Sequence, residues 1–191
     1  AYSLLLAGWL GWALLGGESG GPPAAVFAAP TLFLGGFTAC YTAWLFAQAK
    51  GRVLWMRRHF WVHLLVQAAL AGSALLALLE VLGASSDEYR GLLQTTFLGA
   101  LVLHLAFELL EERLAPRGRE AEYARASRLL THGPFARRHW IHGILIGCIA
   151  PIVLLVMPID GGMLVAGLLA LFGLRTSEDL LVRAGQALPI S

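Results

Sequence analysis

The amino-acid sequence predicts an all-α, polytopic membrane protein, a single bundle of about six transmembrane helices spanning residues 1–191. Hydrophobic residues make up 58% of the chain and charged residues only 14%, whereas a typical soluble domain carries about 25% charge. The mean hydropathy is +0.69. Apolar runs alternate with short polar connections, and a run of about 20 apolar residues is what an α-helix needs to cross a bilayer. The expected surroundings are therefore lipid, and no nucleic-acid partner is expected.

Six apolar segments follow one another, each ending at a charged or Gly/Pro-rich connection. The expected helices are residues 1–16, 24–50, 60–83, 91–112, 140–157 and 161–183. The first is short and the chain opens inside it, so we expect further residues upstream. The last has uncharged residues only as far as Leu174, about 21 Å of helix. To cross the membrane it must continue through Arg175 and Asp179, which are spaced to form an ion pair.

The basic residues predict the orientation of the chain. The connections around 51–59 and 113–139, together with the C-terminal end, hold 13 of the 14 Lys and Arg residues. The positive-inside rule therefore makes these connections and the C-terminus cytoplasmic. The alternate connections carry Glu18, Asp87 and Asp160 and are expected to face outward. The predicted location is the inner (cytoplasmic) membrane, with several passes.

Several polar side chains fall inside the predicted spans, where such groups are costly and usually face a partner or a cavity. His63 and Gln67 are four residues apart on one helix, and so are His104 and Glu108 on the next. Each pair shares a helix face. Two such faces on consecutive helices indicate a polar seam. This seam would serve as a proton route or a quinone head-group site, or would supply ordinary hydrogen bonds between helices.

The sequence offers little for a resident metal centre. Its two cysteines, Cys40 and Cys148, lie in apolar runs and are too few for an iron–sulfur cluster. His63 and His142 begin their helices from the same side, so a haem b cytochrome subunit is one alternative interpretation. A transporter or structural subunit without a redox role is another. At this level all of these alternatives stay open.

Four blocks of the sequence resemble the NrfD-type polysulfide reductase membrane subunits. They are TACYTAWLFAQAKGRVLW (38–55), HLLVQAALAGSALLAL (63–78), GPFARRHWIHGILIGCIAP (133–151) and VRAGQALPIS (182–191). One departure is His139, which stands where the family often has Phe before the Trp. The resemblance implies the C-terminal portion of a protein of eight to ten helices.

The resemblance also implies a function. NrfD-type subunits anchor an iron–sulfur electron-transfer subunit, and often a molybdopterin or other catalytic subunit, to the membrane. They exchange electrons with a quinone, either menaquinone or ubiquinone, and generally carry no haem. The resemblance therefore implies that no haem or metal is held in this chain. The chain is then expected to be a non-catalytic or quinone-reactive subunit of a respiratory oxidoreductase complex, and proton translocation is a further expectation.

Tyr41, His63 and Gln67 are the first candidates for a quinone-facing wall. Tyr41 lies in the first resembling block, and its phenol can donate a hydrogen bond to a quinone carbonyl. All three lie in the inner half of the predicted bundle. A quinone that serves an external iron–sulfur protein should lie nearer the outer face, because electron tunnelling weakens steeply with distance.

A second arrangement satisfies that distance requirement. Glu80 and Gln94 lie at the outer ends of their predicted helices and would be the quinone neighbours. His63 would then join His104 and Glu108 in a proton route from the cytoplasm. Both arrangements stay open at the level of sequence.

Overall fold

The computed structural model describes residues 2–15, 22–79 and 87–187, and this part of the chain is built from helices without any β-strand. The predicted all-α class is confirmed. The α-helices are α1 (Tyr2–Leu14), α2 (Pro22–Gln48), α3 (Phe60–Leu79), α4 (Asp87–Leu109), α5 (Glu120–Thr131), α6 (Ala150–Val156) and α7 (Gly162–Ala187). A π-helix, Arg138–Ile149, leads directly into α6. Short 3₁₀ turns occupy Val53–Met56 and Glu111–Leu114.

Four stretches of the described chain are long and apolar enough to cross a membrane. They are Val26–Gln48, Phe60–Leu79, Asp87–Leu109 and Arg138–Val156. Of the two other predicted segments, α1 is apolar but has only 13 residues. The second, α7, is 26 residues long and charged in its second half.

The last helix continues without a break through Arg175 and Asp179. The Asp179 carboxylate forms its ion pairs with Arg183 and Arg138 and not with Arg175. Arg183 Nε lies 2.8 Å from Asp179 Oδ1, and Arg138 Nη2 lies 3.3 Å from Asp179 Oδ2. The second of these ion pairs joins α7 to the start of the π-helix.

The main core lies between α3, α4, α6 and α7. Its buried residues are Leu70, Ala74, Ala77, Phe97, Ala100, Leu101, Leu155, Ala166, Ala170 and Leu174. Half of them are alanines. Lipid tails are as apolar as these side chains, so helices in a membrane associate largely by close packing, which small residues permit.

The closest approach in this core is between the π-helix and α7. A Cβ atom added at Gly147 would fall well inside van der Waals contact with the backbone of Gly173, and the reverse is equally true. Gly143, one turn earlier, lies beside Ser177, whose Oγ would be 3.1 Å from an added Cβ. The two backbones therefore meet with no side chain between them.

The connections predicted as cytoplasmic loops are folded into a compact layer. The turn Val53–Met56 and α5 pack against the C-terminal part of α7, and the turn Glu111–Leu114 packs against α5. Leu54, Tyr123 and Leu180 are almost fully buried at the centre of this second core. We call this layer, residues 50–58, 111–138 and 180–187, the basic cap.

Side chains of the basic cap bind the end of α7. Arg52 Nη1 donates to the carbonyl oxygens of Gly185 and Gln186, at 3.1 Å in each case. Trp55 Nε1 donates to the Leu181 carbonyl at 3.3 Å. The indole covers Gly185 so closely that no Cβ fits there.

The segment 113–139, which the sequence predicts to be a loop, contains the helix α5.

Candidate functional site

The buried faces of α3 and α4 carry polar residues at the ends of their apolar stripes. In α3 the buried positions continue from Leu70 to Gln67 and His63, and in α4 from Leu101 to His104 and Glu108. This three-to-four-residue spacing is that of one helix face. The two helices pack directly against each other, so their polar positions are brought together inside the bundle.

The two predicted pairs form one hydrogen-bonded group. His63 Nε2 and His104 Nδ1 are 2.8 Å apart and share a hydrogen bond. Glu108 Oε1 lies 3.8 Å from His63 Nε2. The ring of Phe107 stacks on His63, with centroids 4.8 Å apart and planes inclined by 8°. His63 and His104 are 0% and 1% exposed, so this group is closed off from the surroundings.

A third element adds a residue that the site prediction missed. His139, near the start of the π-helix, is buried, and its Nδ1 lies 3.8 Å from Glu108 Oε2. Glu108 therefore stands between two imidazoles, one on α3 and one on the π-helix. The only sequence signal was that His139 replaces an aromatic residue common in the resembling family. We call His63, Gln67, His104, Glu108 and His139 the polar cluster.

The cluster also has the residue types of a metal site, since donor atoms of His63, His104 and Glu108 lie within 4.8 Å of one another. Zn²⁺ holds imidazole nitrogens at about 2.0–2.1 Å in a tetrahedral arrangement, which sets two of them roughly 3.3 Å apart. The observed 2.8 Å between His63 and His104 is the distance of a hydrogen bond. His142, the haem candidate, packs edge-on against Phe172, whereas His63 faces His104 and Phe107. The geometry fits a hydrogen-bonded chain better than a metal site.

A second buried group lies beside the cluster, at the boundary of the basic cap. Glu111 Oε1 lies 3.7 Å from Arg57 Nη1 and accepts a 3.3 Å hydrogen bond from the Tyr123 hydroxyl. The Arg57 guanidinium also lies over the Phe60 ring, 4.5 Å from its centroid. All three polar side chains are buried. None was a candidate in the sequence, because Arg57 and Tyr123 lie in segments predicted to be loops and Glu111 lies at the charged end of the predicted helix 91–112.

Burial dominates the protonation of this second group. It raises the pKa of Glu111 to about 7, against the opposing effect of the Arg57 charge. Burial also raises the pKa of Tyr123, and the neighbouring Glu111 charge adds to this effect. Tyr123 therefore stays a hydrogen-bond donor, and Glu111 keeps its proton to a higher pH than an exposed carboxyl does.

A small cavity of about 10 Å³ lies between the polar cluster and the second group. Polar residues from both groups line it, together with Ser177 and three leucines. They are Arg57, Gln67, Glu108, Glu111, His139, Ser177, Leu130, Leu180 and Leu181. The cavity thus lies between the two groups, and residues of both form its wall.

A much larger pocket opens at the opposite end of the bundle, which we call the outer pocket. Its volume is about 430 Å³, and its wall includes Arg90, Gln94, Leu155 and Asp160. Gln94 Nε2 donates a 2.6 Å hydrogen bond to the Leu155 carbonyl. The structure therefore places Gln94 at a pocket wall. Glu80, the other candidate for this end, lies outside the described residues.

A second pocket, the inner groove, lies between α2, α3 and α7. It has a volume of about 390 Å³ and a mostly apolar wall, with Thr42, Gln67 and Glu178 as its polar members. Gln67 lines both this groove and the small cavity. Tyr41 lines none of the three cavities. It is 50% exposed on α2, with its ring 6.4 Å from that of Phe37.

Fold and site together define a class: an integral membrane protein whose helix bundle encloses a chain of proton-binding side chains and opens into pockets at both ends. A sequence profile described as "Polysulphide reductase, NrfD" matches residues 21–189. The chain therefore belongs to the NrfD family, as its resembling blocks indicated. Comparisons with curated proteins and with solved structures found no match.

Proposed function

We propose that this chain is the quinone-interacting membrane subunit of a respiratory oxidoreductase complex. It passes electrons between the quinone pool and a partner iron–sulfur subunit, which in turn serves a molybdopterin or other catalytic subunit. The observation that carries the proposal is the family match, which spans nearly the whole chain. The absence of a cysteine cluster in the sequence supports a subunit whose redox centres belong to its partners.

The outer pocket is the favoured site for the quinone head group. Its volume falls in the range of about 300–1,000 Å³ typical of small-molecule sites. The Gln94 amide has a second N–H that remains available for a quinone carbonyl. Leu154, Leu155 and Met163 supply apolar wall for the ring and the first part of the tail. This end faces away from the basic cap, so it is also the end where an external iron–sulfur partner would dock.

The polar cluster supplies protons in this proposal. Quinone reduction consumes two protons, and imidazole and carboxyl groups within hydrogen-bond reach of one another can transfer them in steps. His63 and His104 already share a hydrogen bond, and Glu108 lies close to both His63 and His139. The cluster lies toward the basic cap, on the side that the charge distribution predicts to be cytoplasmic.

Steady-state kinetics of the reconstituted complex with a soluble quinol analogue test the head-group site. Gln94→Ala should raise the KM for the quinol about tenfold, because a lost hydrogen bond of up to about 1.5 kcal/mol corresponds to such a factor. Thr95→Ala is the matched control, since the Thr95 hydroxyl bonds to the Gly91 carbonyl of its own helix. This variant should keep the wild-type KM.

The same assay separates the two sequence-based arrangements. Gln67→Ala and Tyr41→Phe change the inner candidates, and Glu80→Gln changes the remaining outer one. A rise in KM confined to Gln67→Ala would move the head group to the inner groove. An unchanged KM in all four variants would discard both pockets as quinone sites.

A further inference from the structure

The small cavity beside Glu108 has the size and lining of a water site. A single water needs roughly 10–15 Å³ and two to four polar partners, and this cavity measures about 10 Å³. Ser177 and Arg57 line it, and Ser177 Oγ and Arg57 Nε are buried without a hydrogen-bond partner in the described part of the chain. Both residues are more than nine-tenths buried. Buried polar groups are usually satisfied by protein or by an internal water, so these two atoms point to a ligand that can both accept and donate.

The cavity separates two groups that would otherwise form one proton-conducting chain. On one side are Glu108 and His139, whose nearest oxygen and nitrogen are 3.8 Å apart. On the other is Glu111, held by Tyr123 and Arg57. The helix α4 ends at Leu109, and the following 3₁₀ turn begins with Glu111. Glu108 and Glu111 therefore line the cavity from consecutive elements of the chain.

We propose that this cavity binds one water molecule that links Glu108 to Glu111, and that Glu111 exchanges protons between the polar cluster and the aqueous phase at the basic cap. The inference rests on the proposed proton route and extends it. In the transfer step, the protonated Glu111 carboxyl gives its proton to the water oxygen while the water gives a proton to the Glu108 carboxylate. The water is regenerated, Glu108 becomes neutral, and Glu111 is left as a carboxylate that takes up the next proton.

Glu111 is surrounded by groups suited to this exchange. Arg57 faces it from the chain before α3, Tyr123 from α5, Glu108 from α4, and Glu112 from its own turn. Burial, aided by the two carboxylates, raises the pKa of Glu111, and the Arg57 charge and the Tyr123 hydrogen bond oppose that rise. The result, about 7, lies where a proton carrier works best at neutral pH. Arg57 also keeps the deprotonated Glu111 from standing as an unpaired buried charge.

Infrared difference spectroscopy on the whole complex tests the site directly, without turnover. The wild type should show a protonated-carboxyl band that titrates near pH 7. Glu111→Gln should remove this band, whereas Glu112→Gln, at the exposed neighbouring position, should keep it. An internal-water O–H band, identified by its shift in oxygen-isotope-labelled water, should be lost in Ser177→Ala. A titrating band that persists in Glu111→Gln, or the lack of any internal-water band in the wild type, would overturn the proposal.

Proton uptake by the complex in proteoliposomes tests the role. With a pH indicator on the basic-cap side, Glu111→Gln should slow quinone-coupled proton uptake about tenfold or more, leave the quinol KM unchanged, and be partly rescued by Glu111→Asp. Uptake in Glu111→Gln equal to that in Glu112→Gln would refute the role of Glu111. If the wild type reduces quinone with no uptake from this side, the proposed proton route itself fails. The infrared titration then still decides whether Glu111 and the water form the site described.

Discussion

Replacing Gly147 by alanine should weaken the contact between the π-helix and α7, because the two backbones meet there with no side chain between them. The added Cβ would meet the Gly173 backbone well inside the 3.5–4.0 Å at which two carbon atoms attract. Backbone atoms cannot swing away as a side chain can. The two helices must therefore separate or shift along each other.

The loss of stability follows from that separation of the two helices. A gap of about 1 Å forfeits up to roughly half of each dispersion contact across the interface, and overpacking of a well-filled core typically costs about 1–3 kcal/mol. For a chain of this size, each kcal/mol corresponds to about 2–4 °C in Tm. Gly147→Ala should accordingly lower the Tm of the purified protein by several degrees, and Gly173→Ala should do the same.

Gly99→Ala in α4 is the matched control, because nothing lies within 4 Å of a Cβ added there. Alanine is favoured over glycine in a helix by up to about 1 kcal/mol, so this variant should be as stable as the wild type or slightly more stable. The measurement is thermal unfolding in detergent, followed by circular dichroism. Equal Tm values for Gly147→Ala and Gly99→Ala would refute the close backbone contact.

Three further outcomes are expected. Arg57→Met should lower the free energy of unfolding by about 3 kcal/mol, because it leaves Glu111 without its buried partner charge. Arg58→Met, at the exposed neighbouring position, should lower it by less than about 1 kcal/mol. Urea unfolding at pH 8 measures both values. The raised pKa of Glu111 should make the wild type lose stability relative to Glu111→Gln as pH rises from 4.5 through about 7, because the folded state prefers the protonated carboxyl. The Tm difference between these two proteins at pH 5 and pH 8 measures this effect, and a difference that stays constant would contradict it. A cysteine introduced at Arg125 should react with an impermeant reagent only from the cytoplasmic side of the membrane, and one at Asp87 only from the outside; external labelling at position 125 would reverse the topology.

The sequence was a good guide where helix periodicity alone decides the outcome. His63 with Gln67, and His104 with Glu108, share faces because an α-helix repeats every 3.6 residues. Consecutive antiparallel helices then bring those faces together, and the structure shows His63 and His104 in hydrogen-bonding contact. The GxxxG spacing of Gly143 and Gly147 is likewise visible in the sequence.

Other features depend on contacts that periodicity does not encode. His139 reaches Glu108 from a π-helix, a rare element with i→i+5 hydrogen bonds that sequence propensities do not predict. Tyr123 lies in the predicted loop 113–139, because the apolar positions of α5 are separated by Arg and Glu, and Glu111 lies at the charged end of the predicted helix 91–112. Their burial is a tertiary effect, produced when the basic cap folds over the end of the bundle.

The hydrogen bond between Gln94 and Leu155 has a consequence for access from the bilayer. Gln94 lies seven residues into α4, about 10 Å from its start, yet it is level with the last turn of α6. The helix that begins at Arg138 therefore ends before it reaches the level of Asp87, where α4 begins. A π-helix uses more residues per turn than an α-helix, which shortens this segment. The turn after Val156 is therefore recessed from the charged first turn of α4, and the outer pocket, whose wall includes this turn, is set at the depth where the apolar part of α4 begins. A hydrophobic molecule that diffuses laterally within the membrane would meet this pocket without passing the charged end of α4.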